Sequence, residues 1–394
     1  MQCLWLTVTD PDPRHNGQML YSGGLIDAMA DVGVDLDVLC LTRTESRRRS
    51  GTQEGRVRWW VADDHPPSRW ASLASPLPNI ARRTRTPAME RMLVDLLGRK
   101  NWDSIVLDSL SLGWALEPVL RRYPDPARRP KLIYVSHNHE ESTRAQIAAN
   151  HQTPLKRQVL WLDACKASRL ERGVVDAVDI ITAITGEDCR LYRQRRPDKP
   201  VEILPPGYCG RRIADRRITA ALPLRAIVVG SFDWVAKRMN LEEFVSVADP
   251  IFAAAGAELQ VIGSAEQSFL DRLRRRTKAT TFTGPVESVT SYMDQARLAI
   301  VPERTGGGFK LKVLDYVFNR TPIFALSGSV AGVPLRDSES ILLYPDHETL
   351  ARGVLRAIDD LDLLNRLQDS AYAACSEKFD WAARGRQLLS AIAA

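Results

Sequence analysis

Short apolar runs, each followed by a loop and a helical stretch, occur in two successive series along this chain. No other feature restricts the fold as much. In the first series residues 2–8 form an apolar strand, residues 9–17 a loop broken by Pro11 and Pro13, and Leu20, Leu25, Ile26, Met29 and Ala30 the inner face of a helix. Residues 34–41 then form the next strand. Strand, loop, helix and strand in that order make the βαβ unit of a doubly wound parallel sheet. Strands over 103–109, 131–136 and 180–184 continue the series, and 201–207 closes it. An arginine-rich irregular stretch follows, and the pattern restarts with strands over 225–231, 258–263, 280–286, 298–301 and 341–344. The spacing predicts an α/β protein of two Rossmann-like domains facing a cleft. The expected boundaries are 1–207 for the first domain, 208–222 for a linker, 223–376 for the second, and 377–394 for a terminal helix packing back toward the first.

The chain has 394 residues, enough for two separate cores. No apolar run approaches the roughly 20 residues that span a bilayer. The N-terminus has no basic segment before its apolar residues and reads as a first strand rather than a signal peptide. Cys3, Cys40, Cys165, Cys189, Cys209 and Cys375 are scattered without CxxC spacing, which argues for reduced thiols in the cytoplasm. A formal charge of +6 suits anionic partners without implying nucleic acid. Residues 79–100 read as a basic amphipathic helix near Trp59, Trp60 and Trp70. Two readings stand for it: a surface helix packed on its own domain, or peripheral contact with the anionic inner face of a membrane.

The densest candidate site lies in the second series. Gly306, Gly307 and Gly308 lead through Phe309 into a helix carrying Lys310, Lys312 and Asp315. Unblocked amides at a helix N-terminus favour an anion, and the lysines add charge beside it. Asp315, one turn on, could take a pair of ribose hydroxyls. Against this, triple glycine also serves as a flexible turn, and a lone acid as a solvated helix position. In the first series, Arg14, His15, Asn16 and Gly17 follow one strand, and His137, Asn138, His139 and Glu140 follow another. Ligands of such sheets sit at the carboxyl ends of strands. A hydrogen-bonding role toward substrate suits His137 better than metal binding, since no HxxxH spacing or third ligand accompanies it.

Taken in order, Asn16-Gly17, 135–141 with its His-Asn-x-Glu pattern, 178–183, 203–207, 229–234, 282–286, 306–315 and Phe379-Asp380-Trp381 resemble a GT-B glycosyltransferase, most closely family 4. The resemblance spans nearly the whole chain. It implies transfer of a sugar from a nucleotide-diphosphate sugar to an acceptor that is a sugar, a lipid-linked glycan or a small molecule, as in polysaccharide, glycolipid or natural-product glycosylation. It implies no cofactor and no metal. The implied donor contacts are Gly17, Ser231, Lys237, Arg238, Gly284, Val286, Gly306, Gly307, Gly308, Phe309, Lys310, Lys312 and Asp315. His137, His15 and Glu140 are the catalytic candidates. Two positions depart from the family: Gly307 stands where the first of its paired glutamates falls, and Pro206 where asparagine is usual. A sugar-nucleotide epimerase of the same fold, or a nucleotide-sugar binder without turnover, remains the alternative. A Rossmann dehydrogenase is disfavoured, because no GxGxxG follows the first strand.

Overall fold

The computed structural model describes every residue except His15, Glu45, Arg47, Arg69, Trp70, Ala71, Leu73, Gln152 and residues 305–308. The chain divides into two compact units, Met1–Gly207 together with Asp380–Ala394, and Tyr208–Phe379. Among the described residues the first unit has an eight-stranded sheet of β1 (Gln2–Thr9), β2 (Asp35–Leu41), β3 (Gln53–Glu54), β4 (Val57–Ala62), β5 (Ser104–Asp108), β6 (Lys131–Ser136), β7 (Ile180–Ala183) and β8 (Val201–Ile203). Its order is β3-β4-β2-β1-β5-β6-β7-β8, parallel except for the β3–β4 pair. The second unit has β9 (Arg225–Val229), β10 (Glu258–Ile262), β11 (Thr280–Phe282), β12 (Leu298–Val301), β13 (Ile323–Leu326) and β14 (Leu342–Tyr344). They form a parallel sheet in the order β11-β10-β9-β12-β13-β14. Both sheets are α/β and Rossmann-like, as the repeated pattern predicts.

Alternate residues of each central strand of the second unit enter different apolar cores. Ala226, Val228, Leu298 and Ile300 pack on one face, and Ile227, Val229, Ala299 and Val301 on the other. Both faces are therefore covered, which is why these strands read as unbroken apolar runs. With the faces sealed, polar chemistry is confined to loops at strand ends. Each sheet reverses its winding once, between β1 and β5 in the first unit and between β9 and β12 in the second. These switch points are where open α/β sheets leave a crevice.

Residues 208–222 form neither helix nor strand. Their arginines bind carbonyls of the second unit: Arg212 donates to Ser376 O at 2.6 Å, and Arg216 to Met293 O at 2.6 Å and Ala296 O at 2.8 Å. The region 79–100 differs from its sequence reading as one helix. It forms two, Asn79–Thr84 and Pro87–Arg99, because Pro87 lacks an amide and disfavours helical geometry at the preceding residue. Met89, Leu93, Leu96 and Leu97 lie in the core of the first unit. Trp59 and Trp60 belong to β4 and donate their indole N–H to Glu54 and Asp37. Trp70 is outside the described residues. Among those described, no helix is long and apolar enough to cross a membrane.

The terminal helix Trp381–Ala393 packs on the helix Gly17–Asp31. The contact depends on absent side chains. A Cβ on Gly24 or on Gly207 would come within 2.3 Å of the Trp381 ring, and one on Gly385 would lie 2.2 Å from Ala28 O. Gly385→Ala is expected to destabilise the protein by about 1–3 kcal/mol, because a backbone oxygen cannot move aside. Gly173→Ala, at a helical position with nothing within 4 Å of the new Cβ, is expected to stabilise it by about 0.5–1 kcal/mol. Denaturant titration of both variants checks the pair; equal effects would remove the packing role of Gly385.

Candidate active site

The loops at the switch point of the second unit gather its chemistry. Gly230, Gly263 and Gly284 follow adjacent strands β9, β10 and β11, and their backbones touch: Gly230 N–H donates to Ile262 O, and Gly263 N–H to Gly284 O at 3.1 Å. Gly263 has φ +129°, and a Cβ there would sit 1.8 Å from Gly230 O. The carboxyl edge of three strands is thus a floor of bare main chain, bordered at Gly230 by the Phe232 ring and open at Gly284, where nothing lies within 4 Å of a Cβ. Beside it, Glu303 after β12 pairs with Lys312. Burial opposes ionisation of Glu303, but Lys312 and Lys310 outweigh it and hold the carboxyl below its ordinary range. Burial lowers the pKa of Lys310 and of Lys237, and Lys312 adds repulsion at both. Three lysines are thus close enough to Glu303 to feel its charge, Lys237 also feels Asp233, and the cluster holds more cations than carboxylates. The second oxygen of Glu303, Oε2, is buried without a hydrogen-bond partner among the described residues.

The helix Leu311–Phe318 starts here with no side-chain cap at its N-terminus. Tyr316 locks it to the sheet by accepting Val229 N–H at 2.8 Å. Asp315, half-buried on the same helix, has its carboxyl pushed up to about 6 by burial, partly offset by a hydrogen bond from Tyr208. The Tyr208 ring stacks on Phe318 with centroids 4.6 Å apart. Ser231 donates to Asp233 at 2.6 Å, and Arg238 pairs with Glu266 at 3.2 Å, so of the two basic candidates at the start of the helix Val235–Ala254 only Lys237 joins the lysine cluster.

In the first unit, the ends of β5 and β6 carry a second constellation. Asp108 is fully buried and accepts from Trp5 Nε1 at 3.2 Å. His137 Nε2 lies 2.6 Å from Asp108 Oδ1, with the Tyr21 ring edge-on at 5.1 Å. Burial would raise Asp108, yet its contacts with His137 keep its carboxyl below the ordinary value. An ionised Asp108 can only accept, so His137 presents N–H at Nε2, and in the neutral ring Nδ1 carries the free lone pair. Ser109, directly after Asp108, has φ +89°, a strained conformation for a non-glycine residue at a strand end.

The turn after His137 is fixed from behind by Glu171, which is 2% exposed. Its carboxylate accepts from Glu140 N at 3.1 Å, Glu141 N at 2.7 Å, Tyr192 OH at 2.7 Å and Tyr134 OH at 3.2 Å. His139 caps the helix Glu140–Ala149 by accepting Ser142 N–H, and Glu140 is paired with Arg144 at 2.6 Å. Asn16 caps the helix that begins at Gly17, and Arg14 is held by Asp12 and Asp27.

Residues 223–360 match the family model of glycosyl transferases group 1. The whole chain aligns with solved structures. Sucrose-phosphate synthase from Thermosynechococcus elongatus gives a TM-score of 0.72 at 18% identity, covering 99% of this chain and 98% of that one. WaaG, a glycosyltransferase involved in lipopolysaccharide biosynthesis, gives 0.66 at 13% identity, with 99% of each chain covered. Anabaena HepE in complex with UDP and glucose gives 0.62 at 13% identity, covering 100% of this chain and 99% of that one. The chain has the GT-B fold, and the unit Tyr208–Phe379 carries the group 1 glycosyl transferase match. Comparison with curated protein sequences gives no match.

The sequence-predicted Lys237, Lys310 and Lys312 come together in the second unit. Asp315 lies on the helix that Lys310 opens, and Gly284 in the glycine floor. Val286 and Phe309 pack against one core of this unit. His15 and Gly306, Gly307 and Gly308 lie outside the described residues. Gly230, Gly263, Glu303, Tyr208, Asp108 and Glu171 were not singled out by sequence. The glycines could have been found by noting that three successive strands each end in one; the carboxylates gave no local signal, since their partners are remote in sequence.

Burial, opposed by its donors and reinforced by the charge of Glu140, pushes Glu171 up to about 7. The folded state therefore holds a proton that the unfolded chain releases near the ordinary value of 4.5, and stability falls as pH rises from about 4.5 to 7. Glu171→Gln is expected to flatten that slope in melting temperature against pH. An unchanged slope would assign the pH dependence elsewhere.

Proposed function

We propose that this protein is a glycosyltransferase that binds a nucleoside diphosphate-sugar on the unit Tyr208–Phe379 and an acceptor hydroxyl on the unit that carries His137. One observation carries the reading: Lys237, Lys310 and Lys312 outnumber the carboxylates that act on them, Glu303 and Asp233, and Lys237 and Lys310 bear lowered pKa values from desolvation. Buried positive charge in excess is unfavourable in the free protein and is relieved by an anion. The glycine floor admits that anion to the main chain, and Asp315 supplies acceptors for ribose hydroxyls. In the transfer, the acceptor oxygen forms a bond to the anomeric carbon while the bond from that carbon to phosphate oxygen breaks. The electron pair leaves with the diphosphate, where preplaced cations stabilise the growing charge. His137, oriented by Asp108, is the candidate group for the acceptor's proton.

UDP-glucose is a suitable first probe, because its diphosphate is esterified at both ends and does not titrate near the value of about 6 for Asp315. Ribose hydroxyls donate to an ionised carboxylate, so affinity should fall as pH drops below about 6. Calorimetry on Asp315→Asn should show weaker, pH-independent binding. Lys310→Gln should weaken binding by ~10-fold or more. Unaltered affinity in both folded variants would remove this donor site, and product formed without an acceptor would favour epimerisation.

The acceptor class we infer is a growing polysaccharide or glycolipid, with the protein at the cytoplasmic face of a membrane. The relatives' roles and the surface support this. In the stretch 79–100, Val94 is the one large apolar side chain left well exposed among the described residues, whereas the helix Pro154–Ala177 exposes Leu155, Trp161 and Leu162 beside Lys156 and Arg157. Vesicles of phosphatidylglycerol should sediment with the protein, and Trp161→Asp with Leu162→Asp should abolish this. Equal recovery of the double variant would exclude contact through this helix.

A further inference from the structure

A groove of about 750 Å³ in the unit Tyr208–Phe379 lies apart from the lysine cluster. One wall is the helix Leu361–Cys375, where Arg366, Ser370 and Ala374 recur every fourth residue and share a face; Lys378 continues the line past the helix end. The facing wall is the segment between β13 and β14, with Arg336, Ser338 and Glu339. Three cations thus meet one carboxylate, and Arg336 reaches that carboxylate only at 3.7 Å. Among the described residues, Arg366 and Lys378 have no carboxylate within ion-pair distance, and the hydroxyls of Ser338 and Ser370 no hydrogen-bond partner. The shortage is local. Asp369, on the same helix, is taken by Arg217 at 2.7 Å and Arg320 at 2.6 Å on another face.

The facing wall is already ordered. Ser340 Oγ accepts Arg336 N–H at 2.8 Å, and Asp337 accepts Leu343 N–H at 2.8 Å. A ligand would not have to fold this segment, which lowers the cost of binding. The segment ends at the start of β14, where Asp337 forms a parallel bridge with Ile341. Next to Lys378, the Phe379 ring meets that of Phe309 at 5.7 Å, in the stretch that leads into Lys310.

We infer that this groove is a binding site for a phosphate monoester. Two uncompensated charges match a dianion. Two guanidinium forks with hydroxyl donors suit its several oxygens better than the two of a carboxylate. The phosphate could belong to a phosphorylated sugar or be free phosphate, and both have the same recognition chemistry. The assignment does not rest on the donor-site reading.

Glucose 6-phosphate and inorganic phosphate serve as probes on the full chain, with calorimetry for affinity and hydrogen exchange for location. Binding should slow exchange in residues 334–340, and Arg366→Ser with Lys378→Ser should weaken it by ~10-fold or more. Both side chains are exposed, so the variant should keep the parent's melting temperature and its affinity for UDP-glucose. Tighter binding of glucose 6-phosphate than of phosphate assigns a sugar phosphate, and equal binding assigns phosphate itself. Wild-type affinity in the double variant, protection confined to residues 302–312, or no binding of either probe would overturn the site. Failure of UDP-glucose to bind would instead strike the donor reading and leave this one standing.

Discussion

Parallel strands covered on both faces are the constraint on which this molecule depends. Once Val228 and Ile300 face one core and Ile227 and Val301 the other, the middle of these strands has no place for a charged group. Chemistry must sit beyond the strand ends, and the winding reversals at β1–β5 and β9–β12 decide which ends stay uncovered. Asp108 and His137 in one unit, and Glu303 with its three lysines in the other, stand at or beside those reversals.

The two constellations use burial differently. Asp108 remains ionised because His137 and Trp5 replace its lost hydration. Glu171, with four donors around it, is nevertheless pushed up to about 7 by burial, with Glu140 adding to the effect. The lysine cluster is the reverse case: cations outnumber acceptors, and the deficit is what an anionic ligand can supply. Stability and function therefore diverge at these sites. A fully paired network fixes a turn, whereas an under-paired one is suited to binding.

Much of this was legible in the sequence. Apolar runs located most strands of both sheets to within a few residues, since a doubly covered strand must be apolar throughout. Lys310, Lys312 and Asp315 were legible because they follow a glycine loop on one short helix. The two-residue β3 and the strand β4 were not, because tryptophans near prolines read as a surface feature until Asp37 and Glu54 were seen to accept their N–H groups. Nor was the break at Thr86-Pro87, where apolar and basic residues stand on both sides of the proline.

By itself, then, the sequence determined the fold class, the two-series organisation and the basic glycine loop, because each is written in residues close along the chain. Tertiary structure alone decided which charges meet. Glu303 joins Lys237 across more than sixty positions, Asp108 joins His137, and Arg238 turns to Glu266 instead of the cluster. Coulomb and hydrogen-bond energies depend on separation in space and on the water excluded around it, and a linear pattern records neither.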